Sequence, residues 1–166
     1  MFFIRSAGEA DLPKVQTLLA ETWRDTYRPF HGDHVVEAMI AHWHSSASLA
    51  RRLHRPDSEF LVADDGKQLA GMAFAAMSRN TPKLANLHQL YIHPLWQGQG
   101  IGTDLFAEIE TCFPDADRMH LEVTAENERA IEFYTKVGFR EIGRIDNVGP
   151  PGAKLPAILM EKTLAF

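Results

Sequence analysis

One glycine-rich turn constrains this chain more than any other feature. It runs Gln97-Gly98-Gln99-Gly100-Ile101-Gly102-Thr103, between an apolar run at 87–92 that predicts a strand and a run at 101–113 with apolar residues at helical spacing. Glycine lets the backbone approach a ligand closely, and the first N–H groups of a helix have no partner within it. Because those groups also carry the positive end of the helix dipole, the turn is a candidate anion site.

Two nucleotide-binding motifs do not fit this turn. A P-loop ends in Lys followed by Ser or Thr, and no such pair closes the turn. A dinucleotide fingerprint has Gly-x-Gly-x-x-Gly after the first strand of its fold, whereas this turn has Gly-x-Gly-x-Gly and lies deep in the chain. The alternative to an anion site is structural: the glycines only turn the chain tightly.

The rest of the chain alternates between strand and helix patterns. Helices are predicted at 12–23, 33–44, 101–113 and 127–137, and strands at 2–5, 59–63, 68–74, 87–92, 119–124, 139–145 and 157–162. This order favours an α/β (α+β) fold, in which a mixed sheet carries helices on both faces. No repeat or linker divides the chain, so a single domain is predicted over residues 1–166.

Composition excludes several classes of protein. The 166 residues are 45% hydrophobic and 23% charged, as in globular proteins rather than disordered ones. The single cysteine, Cys112, excludes an internal disulfide and favours a reducing compartment, so a cytoplasmic location is expected. No apolar run is long enough to span a membrane. A net charge of -5 argues against binding to nucleic acid, because such binding depends on clustered Lys and Arg.

Five histidines in the first third of the chain raise the question of a metal site. They are His31, His34, His42, His44 and His54. His42 and His44 are two residues apart, so on a helix they point to different sides. A single cysteine cannot supply a set of thiolate ligands. We therefore predict that the protein holds no metal.

Two segments resemble the GCN5-related N-acetyltransferase (GNAT) family. The segment 90–102 is similar to that family's strand and pyrophosphate loop, whose Gln/Arg-x-x-Gly-x-Gly/Ala core is met by Gln97, Gly100 and Gly102. The segments 121–124 and 127–139 resemble the family's second signature at its usual distance. The resemblance covers about the C-terminal half of the chain. It implies a mostly antiparallel, twisted sheet of six to seven strands with about four helices, in which a central pair of strands splays apart.

The resemblance also implies acetyl-CoA as co-substrate and direct transfer of the acetyl group to a primary amine. It places cofactor contacts on Leu90, Tyr91, Ile92, Gln97, Gly98, Gln99, Gly100, Ile101, Gly102, Thr103, Asn127 and Tyr134. Within that set, the backbone of Leu90, Tyr91 and Ile92 meets the acetyl carbonyl, and Asn127 bonds the pantetheine arm or a nearby backbone group. Tyr134 matches the family's acid, which protonates the departing thiolate. Taken alone, Tyr134 is equally an aromatic core residue and Asn127 a helix N-cap.

Glu122 is the leading candidate for the base that takes a proton from the amine. It lies in Leu121-Glu122-Val123, twelve residues before Tyr134, a pattern that resembles family members that acetylate protein N-termini. The structural alternative is a solvated strand residue, since glutamate is usually exposed. His88 and Gln89 are alternatives on the strand that faces the acetyl group, and a water chain is another.

The sequence contains little information on the identity of the acceptor. The acidic composition favours a small cationic amine. The alternatives are acetylation of a protein's α-amino group and a non-catalytic module that binds acetyl-CoA and regulates a partner. Aromatic residues on the first two helices are either core or the lining of an acceptor pocket: Trp23, Tyr27, Phe30 and Trp43. A homodimer is compatible with the sequence, which carries no pattern that specifies one.

Overall fold

A seven-stranded twisted sheet organises the chain, and the computed structural model describes residues 1–164 of it. Its strands are β1 Phe3–Ser6, β2 Ser58–Asp64, β3 Leu69–Met77, β4 Leu84–Ile92, β5 Arg118–Thr124, β6 Arg140–Ile145 and β7 Ala157–Thr163. Across the sheet they lie in the order β1-β2-β3-β4-β5-β7-β6. Strands β4 and β5 are parallel, and the other neighbours are antiparallel.

Helices cover both faces of the sheet. They are α1 Leu12–Tyr27, α2 Asp33–Trp43, α3 Ser46–Leu53, α4 Ile101–Glu110 and α5 Glu128–Lys136. On one face, α1 and α3 bury apolar side chains against β2 and β3. On the other face, α4 and α5 pack against the central strands in the largest apolar cluster. No helix within residues 1–164 is long and apolar enough to cross a membrane.

The α/β (α+β) class, the mixed and mostly antiparallel sheet and its seven strands are confirmed. The four predicted helices are present, and α3 is an additional one that the sequence pattern did not show. Its eight residues carry only two leucines on their apolar face, Leu49 and Leu53, which is too short a pattern to recognise from the sequence. The Ser45 hydroxyl caps its start by accepting from the Ser48 N–H. The single domain over 1–166 stays a prediction, and residues 165–166 lie outside the described part.

The central strands separate along more than half of their length. Strands β4 and β5 pair only from Leu84 opposite Arg118 to Asn86 opposite His120. Beyond these pairs β4 continues to Ile92 and β5 to Thr124 without further pairing. This is the splayed central pair that the family resemblance implied, and it opens a cleft through the middle of the sheet.

A bulge in β4 begins where the strands separate. Phe74 of β3 lies opposite Gln89 and Ala75 lies opposite Leu87, so His88 is an extra residue with no partner on β3. A bulge of this kind bends its strand and increases the local twist. His88 stacks on Phe74, with 5.7 Å between ring centroids. Two consecutive polar residues, His88 and Gln89, therefore lie on the sheet face that α1 and α3 cover.

The seam between α4 and the sheet supplies a test of the core. Leu105 is completely buried, whereas Leu95, in the short turn before the helix, is 75% exposed. We predict that Leu105→Ala lowers the free energy of unfolding by about 2–5 kcal/mol, because it removes buried methyl groups and leaves a cavity. The control Leu95→Ala should change it by less than about 0.5 kcal/mol. Urea denaturation of both variants measures the difference, and equal losses would contradict this packing.

Candidate active site

One large cleft of about 1660 Å³ passes through the opening between β4 and β5. Its walls include the glycine turn, the first residues of α4 and the inner side of α5. It continues to the opposite face of the sheet, where residues of α1, α2 and α3 line it. The cleft therefore connects the candidate anion site with the aromatic residues that the sequence offered as an acceptor pocket: Trp23, Tyr27, Phe30 and Trp43 all line it.

The glycine turn presents a row of free backbone donors. Within the described residues, none of the N–H groups from Gly98 to Thr103 donates a hydrogen bond. Gly98 and Gly100 have φ values of 79° and 85°, a left-handed conformation that only glycine adopts at little cost. Gly100 is also the N-cap of α4, so the donors and the positive end of the helix dipole coincide. This arrangement fits a phosphate or pyrophosphate group.

Gln97 connects the end of β4 to α5. Its Nε2 donates to the Ile92 carbonyl over 2.9 Å, and its Oε1 accepts from Arg129. The side chain is thus engaged within the protein and fixes the start of the turn. Gly102 differs from Gly98 and Gly100, because neighbouring side chains lie close to it: a Cβ there would make ordinary contacts of 3.6 Å with Ile92 and Phe133.

The backbone of β4 offers two donors to the cleft. The His93 N–H bonds the Ala70 carbonyl on β3 at 2.8 Å. Since N–H groups alternate sides along a strand, that of Tyr91 also points toward β3, whereas those of Leu90 and Ile92 point into the opening. Of the three backbone positions that the resemblance implied, Leu90 and Ile92 can therefore donate to a bound carbonyl. The Tyr91 N–H cannot, and this residue contributes its side chain to the cleft lining instead.

Tyr134 of α5 lies on the cleft wall and is 9% exposed. Its ring packs against Phe133 and Phe139. Burial, together with the neighbouring Tyr27, raises the pKa of Tyr134 above its usual value near 10. The phenol therefore stays protonated at neutral pH and is available as a hydrogen-bond donor.

Asn127 joins the loop after β5 to α5. Its Oδ1 accepts from the Ala130 N–H over 3.2 Å, which makes it the N-cap of α5. It also lies beside the Tyr27 hydroxyl, which is 3.0 Å from Thr124 Oγ1. The N-cap role predicted from the sequence is present, and the same residue lines the cleft.

Glu122 also lines the cleft. Leu121 and Val123 point into the core under α4, so Glu122, like Thr124, faces the side of α1. It is exposed, and among residues 1–164 it forms no ion pair and no side-chain hydrogen bond. Its carboxylate is free to contact an amine in the cleft.

The alternative bases occupy the β4 bulge. His88 is exposed as a residue, but the surrounding walls desolvate its imidazole, and this, with the positive charges of Arg55 and Arg52, lowers its pKa to about 4. Such an imidazole is neutral at pH 7 and a weak base. Gln89 is buried, and its Oε1 has no partner in the described part of the chain.

Several cleft residues were not anticipated from the sequence, among them Arg52 and Arg55. These two lie on and just after α3, the helix that the sequence pattern did not predict. For metals, no group of three or more His, Cys, Asp or Glu side chains comes together among residues 1–164.

A family model described as an acetyltransferase (GNAT) domain matches residues 27–162. The chain belongs to the GNAT acetyltransferase family. The match includes the glycine turn, the splayed strands and Tyr134, so the resemblance stated from the C-terminal half is confirmed and extends into the N-terminal half.

Relatives of this GNAT protein include proteins named as N-acetyltransferases. The N-alpha-acetyltransferase RimI of Mycobacterium tuberculosis is 32% identical over 98 residues, which are 58% of this chain and 61% of RimI. The chain thus matches less than two thirds of that relative's length. A ribosomal-protein-alanine N-acetyltransferase from Brucella melitensis has a TM-score of 0.74 at 26% identity, covering 98% of this chain and 99% of its own.

A third relative was crystallised with the cofactor. The PaiA N-acetyltransferase from Thermoplasma acidophilum, in complex with coenzyme A, has a TM-score of 0.83 at 25% identity, and the match covers 99% of both chains. The fold that this GNAT protein shares with it is therefore one that binds coenzyme A.

The free N–H groups of the turn supply a binding test. We predict that coenzyme A at a hundredfold excess over its Kd stabilises the protein by about 2.7 kcal/mol and raises the melting temperature by roughly 5–10 °C. Gly100→Val should abolish this shift, because a side chain at the N-cap obstructs the anion. Thermal melts with and without coenzyme A measure both effects.

Gly66 is a matched control. It has a φ of 96° in the β2–β3 hairpin, and, as at Gly100, a Cβ there would meet nothing within 4 Å. Gly66→Val therefore has a similar backbone strain and should retain the full shift. A shift that survives in Gly100→Val would mean that the glycines only turn the chain.

Proposed function

We propose that this GNAT protein transfers the acetyl group of acetyl-CoA directly to a primary amine. The observation that carries the proposal is the continuity of the cleft from the free N–H groups of the turn to Glu122 on the other side of the sheet. A donor bound on the α4 side and an acceptor bound on the α1 side can meet at the opening between β4 and β5. No acyl-enzyme is needed, and Cys112 lies outside the residues that line the cleft.

The turn and α5 would hold the donor. The N–H groups from Gly98 to Thr103 bind the pyrophosphate, and the α4 dipole adds to this attraction. Asn127 contacts the pantetheine arm while capping α5. The N–H groups of Leu90 and Ile92 bind the acetyl carbonyl, and the bond of Gln97 to the Ile92 carbonyl keeps that part of β4 in place.

Four groups then share the chemistry. The amine nitrogen bonds to the acetyl carbon, and the carbon–sulfur bond breaks. The N–H groups of Leu90 and Ile92 donate to the carbonyl oxygen as it becomes negative. Glu122 takes the proton of the amine, directly or through water. Tyr134 donates its hydroxyl proton to the departing sulfur. The apolar cleft disfavours the charged thiolate as it disfavours the charged phenolate, so it raises the proton affinity of both groups.

Glu122 is a better base than the alternatives on β4. A free amine must be produced at neutral pH from an ammonium whose pKa is about 10. The His88 imidazole is neutral and lies beside the positively charged Arg55, which repels an ammonium group, and Gln89 has no basic group. The open carboxylate of Glu122 attracts an ammonium group and accepts its proton.

The acceptor we propose is a small amine, which the net charge of -5 predicts to be cationic. Acetylation of a protein's α-amino group is the second candidate, favoured by the Leu121-Glu122-Val123 pattern and by the similarity to RimI. A regulatory module without activity would have no use for Tyr134 and Glu122 on either side of one opening. The cytoplasmic location and a homodimer stay predictions.

Tyr134→Phe tests the acid. The substitution keeps the ring and its packing and removes one hydroxyl, so we predict that kcat falls about 10²–10⁴-fold while coenzyme A still raises the melting temperature as in the wild type. Thiol release from acetyl-CoA measures kcat. An unchanged kcat would make Tyr134 a core residue only.

Glu122→Gln tests the base. We predict that activity falls mainly at low pH and recovers partly as the pH rises, because a larger share of the acceptor is then already the free amine. Rate profiles from pH 6 to pH 10 measure this change. Glu108→Gln on the exposed side of α4 makes the same chemical change outside the cleft and should leave the profile unaltered. Identical profiles for Glu122→Gln and the wild type would assign the proton to His88 or to water.

A further inference from the structure

The acceptor side of the cleft contains two arginines without a carboxylate partner. Arg52 and Arg55 both line the cleft, and neither forms an ion pair within residues 1–164. Six of the nine other arginines do form such pairs within residues 1–164, each within 4 Å of an Asp or Glu oxygen: Arg5, Arg24, Arg28, Arg118, Arg140 and Arg144. What distinguishes Arg52 and Arg55 from the remaining three is that each has a buried donor without a partner in the described residues.

The two guanidinium groups are only partly satisfied by the protein. Arg52 donates from Nη2 to the Trp43 carbonyl, but its Nη1 is buried and has no partner in the part of the chain that the structure describes. Arg55 points Nη1 at His88 Nε2 over 3.4 Å, and its buried Nε is likewise unpartnered. Buried donors without acceptors destabilise a fold, so a ligand that supplies the missing acceptors would gain free energy from these hydrogen bonds.

The charge of this region is uncompensated. Burial lowers the pKa of Arg52 to about 10, which still leaves it charged at neutral pH. Arg5 shows the opposite case, because hydrogen bonds to Asp11 and Asp64 raise its pKa. Two histidines of this region add no charge. Burial and the charge of Arg52 lower the pKa of His44 to about 3, and desolvation of the imidazole with the charges of Arg55 and Arg52 lowers the pKa of His88 to about 4.

We propose that the acceptor carries an anionic group, a carboxylate or a phosphate, which binds to Arg52 and Arg55 while its amine lies near Glu122. The inference rests on the proposed function and changes its acceptor from a purely cationic amine to a zwitterionic one. A guanidinium group matches the two oxygens of a carboxylate or phosphate and forms two parallel hydrogen bonds with them.

The register of the strands indicates the size of such an acceptor. Asn86 pairs with His120, so His88 and Glu122, each two residues further along parallel strands, lie at the same level where the pairing ends. Arg55 Nη1 lies 3.4 Å from His88 Nε2 on β4, and Glu122 lies on β5 at the other side of the opening. These residues lie beyond the last strand pair, so they are further apart than the about 5 Å between paired strands. An acceptor that contacts both the basic and the acidic group must therefore bridge the opening.

Matched pairs of acceptors test the proposal. Each pair differs in the anionic group: L-leucine and L-leucinamide, or O-phosphoethanolamine and ethanolamine. Spermidine represents acceptors with positive charges only, and a short peptide with a free N-terminus represents proteins. We expect the wild type to prefer the anionic member of at least one pair by roughly tenfold or more in kcat/KM, as expected for charge-assisted hydrogen bonds. The two pairs separate carboxylate from phosphate. Preference for spermidine, for the peptide or for both uncharged members would overturn the proposal.

Variants assign the preference to the two arginines. Arg55→Gln, and separately Arg52→Gln, should raise KM for the anionic acceptor about tenfold or more and change kcat/KM for its uncharged counterpart by a clearly smaller factor. Because Arg52 also bonds the Trp43 carbonyl, Arg55→Gln keeps the test valid if Arg52→Gln folds poorly. Arg51→Gln is the control, since this exposed neighbour on α3 does not line the cleft. A preference that persists in both cleft variants would overturn the assignment.

A binding measurement separates failure of this proposal from failure of the proposed function. Calorimetric titration of inorganic phosphate and of glutarate, at low ionic strength and with coenzyme A bound, reports on the basic site without turnover. Binding to the wild type that is lost in Arg55→Gln would support the anion site even if no amine is acetylated. If amines are acetylated but neither probe binds and no pair shows a preference, the anion site is wrong and the transfer function stands.

Discussion

The separation of β4 from β5 is the constraint on which the rest of this structure depends. Three residue pairs hold the parallel strands together, and beyond Asn86 and His120 each strand presents backbone and side chains to the gap instead of to its neighbour. The gap gives the glycine turn, Tyr134 and the Leu90 and Ile92 N–H groups access to a space that Glu122 reaches from the other face. The fold tolerates this gap because β4 still pairs with β3 and β5 with β7, and the helices on both faces bury the residues around it.

Prediction from the sequence was most accurate where the backbone conformation permits only one residue type. A left-handed N-cap such as Gly100 needs glycine, so the turn and the helix after it could be located from composition and spacing alone. The strands followed from apolar runs. Helix α3 could not be found, because Leu49 is its one buried apolar residue and Ser45 caps it with a hydroxyl that occurs equally in loops. The roles of Arg52 and Arg55 were lost with it, since arginine on an unrecognised helix looks like a solvated surface residue.

Charge shows most clearly how total composition and local structure diverge. A net charge of -5 describes the field far from the protein, which affects solubility and encounter rates. Inside the cleft the balance depends on which carboxylates already have a partner: Glu126, for example, contacts His31 over 2.6 Å. An acidic protein can therefore contain a basic pocket, and only the pairing pattern reveals it.

Because of the bulge at His88, the shape of the cleft depends on the number of residues in β4. Ala85 and Leu87 before the bulge and Leu90 and Ile92 after it all face the helix α4 side. A chain that lacked residue 88 would keep these side chains in the same core, and its β4 would run straight, with one irregular step fewer to bend it away from β5. We infer that this one additional residue helps to keep the sheet open, and that without it β4 would lie closer to β5. We therefore expect related sequences to vary in loop length far more readily than in the length of this strand.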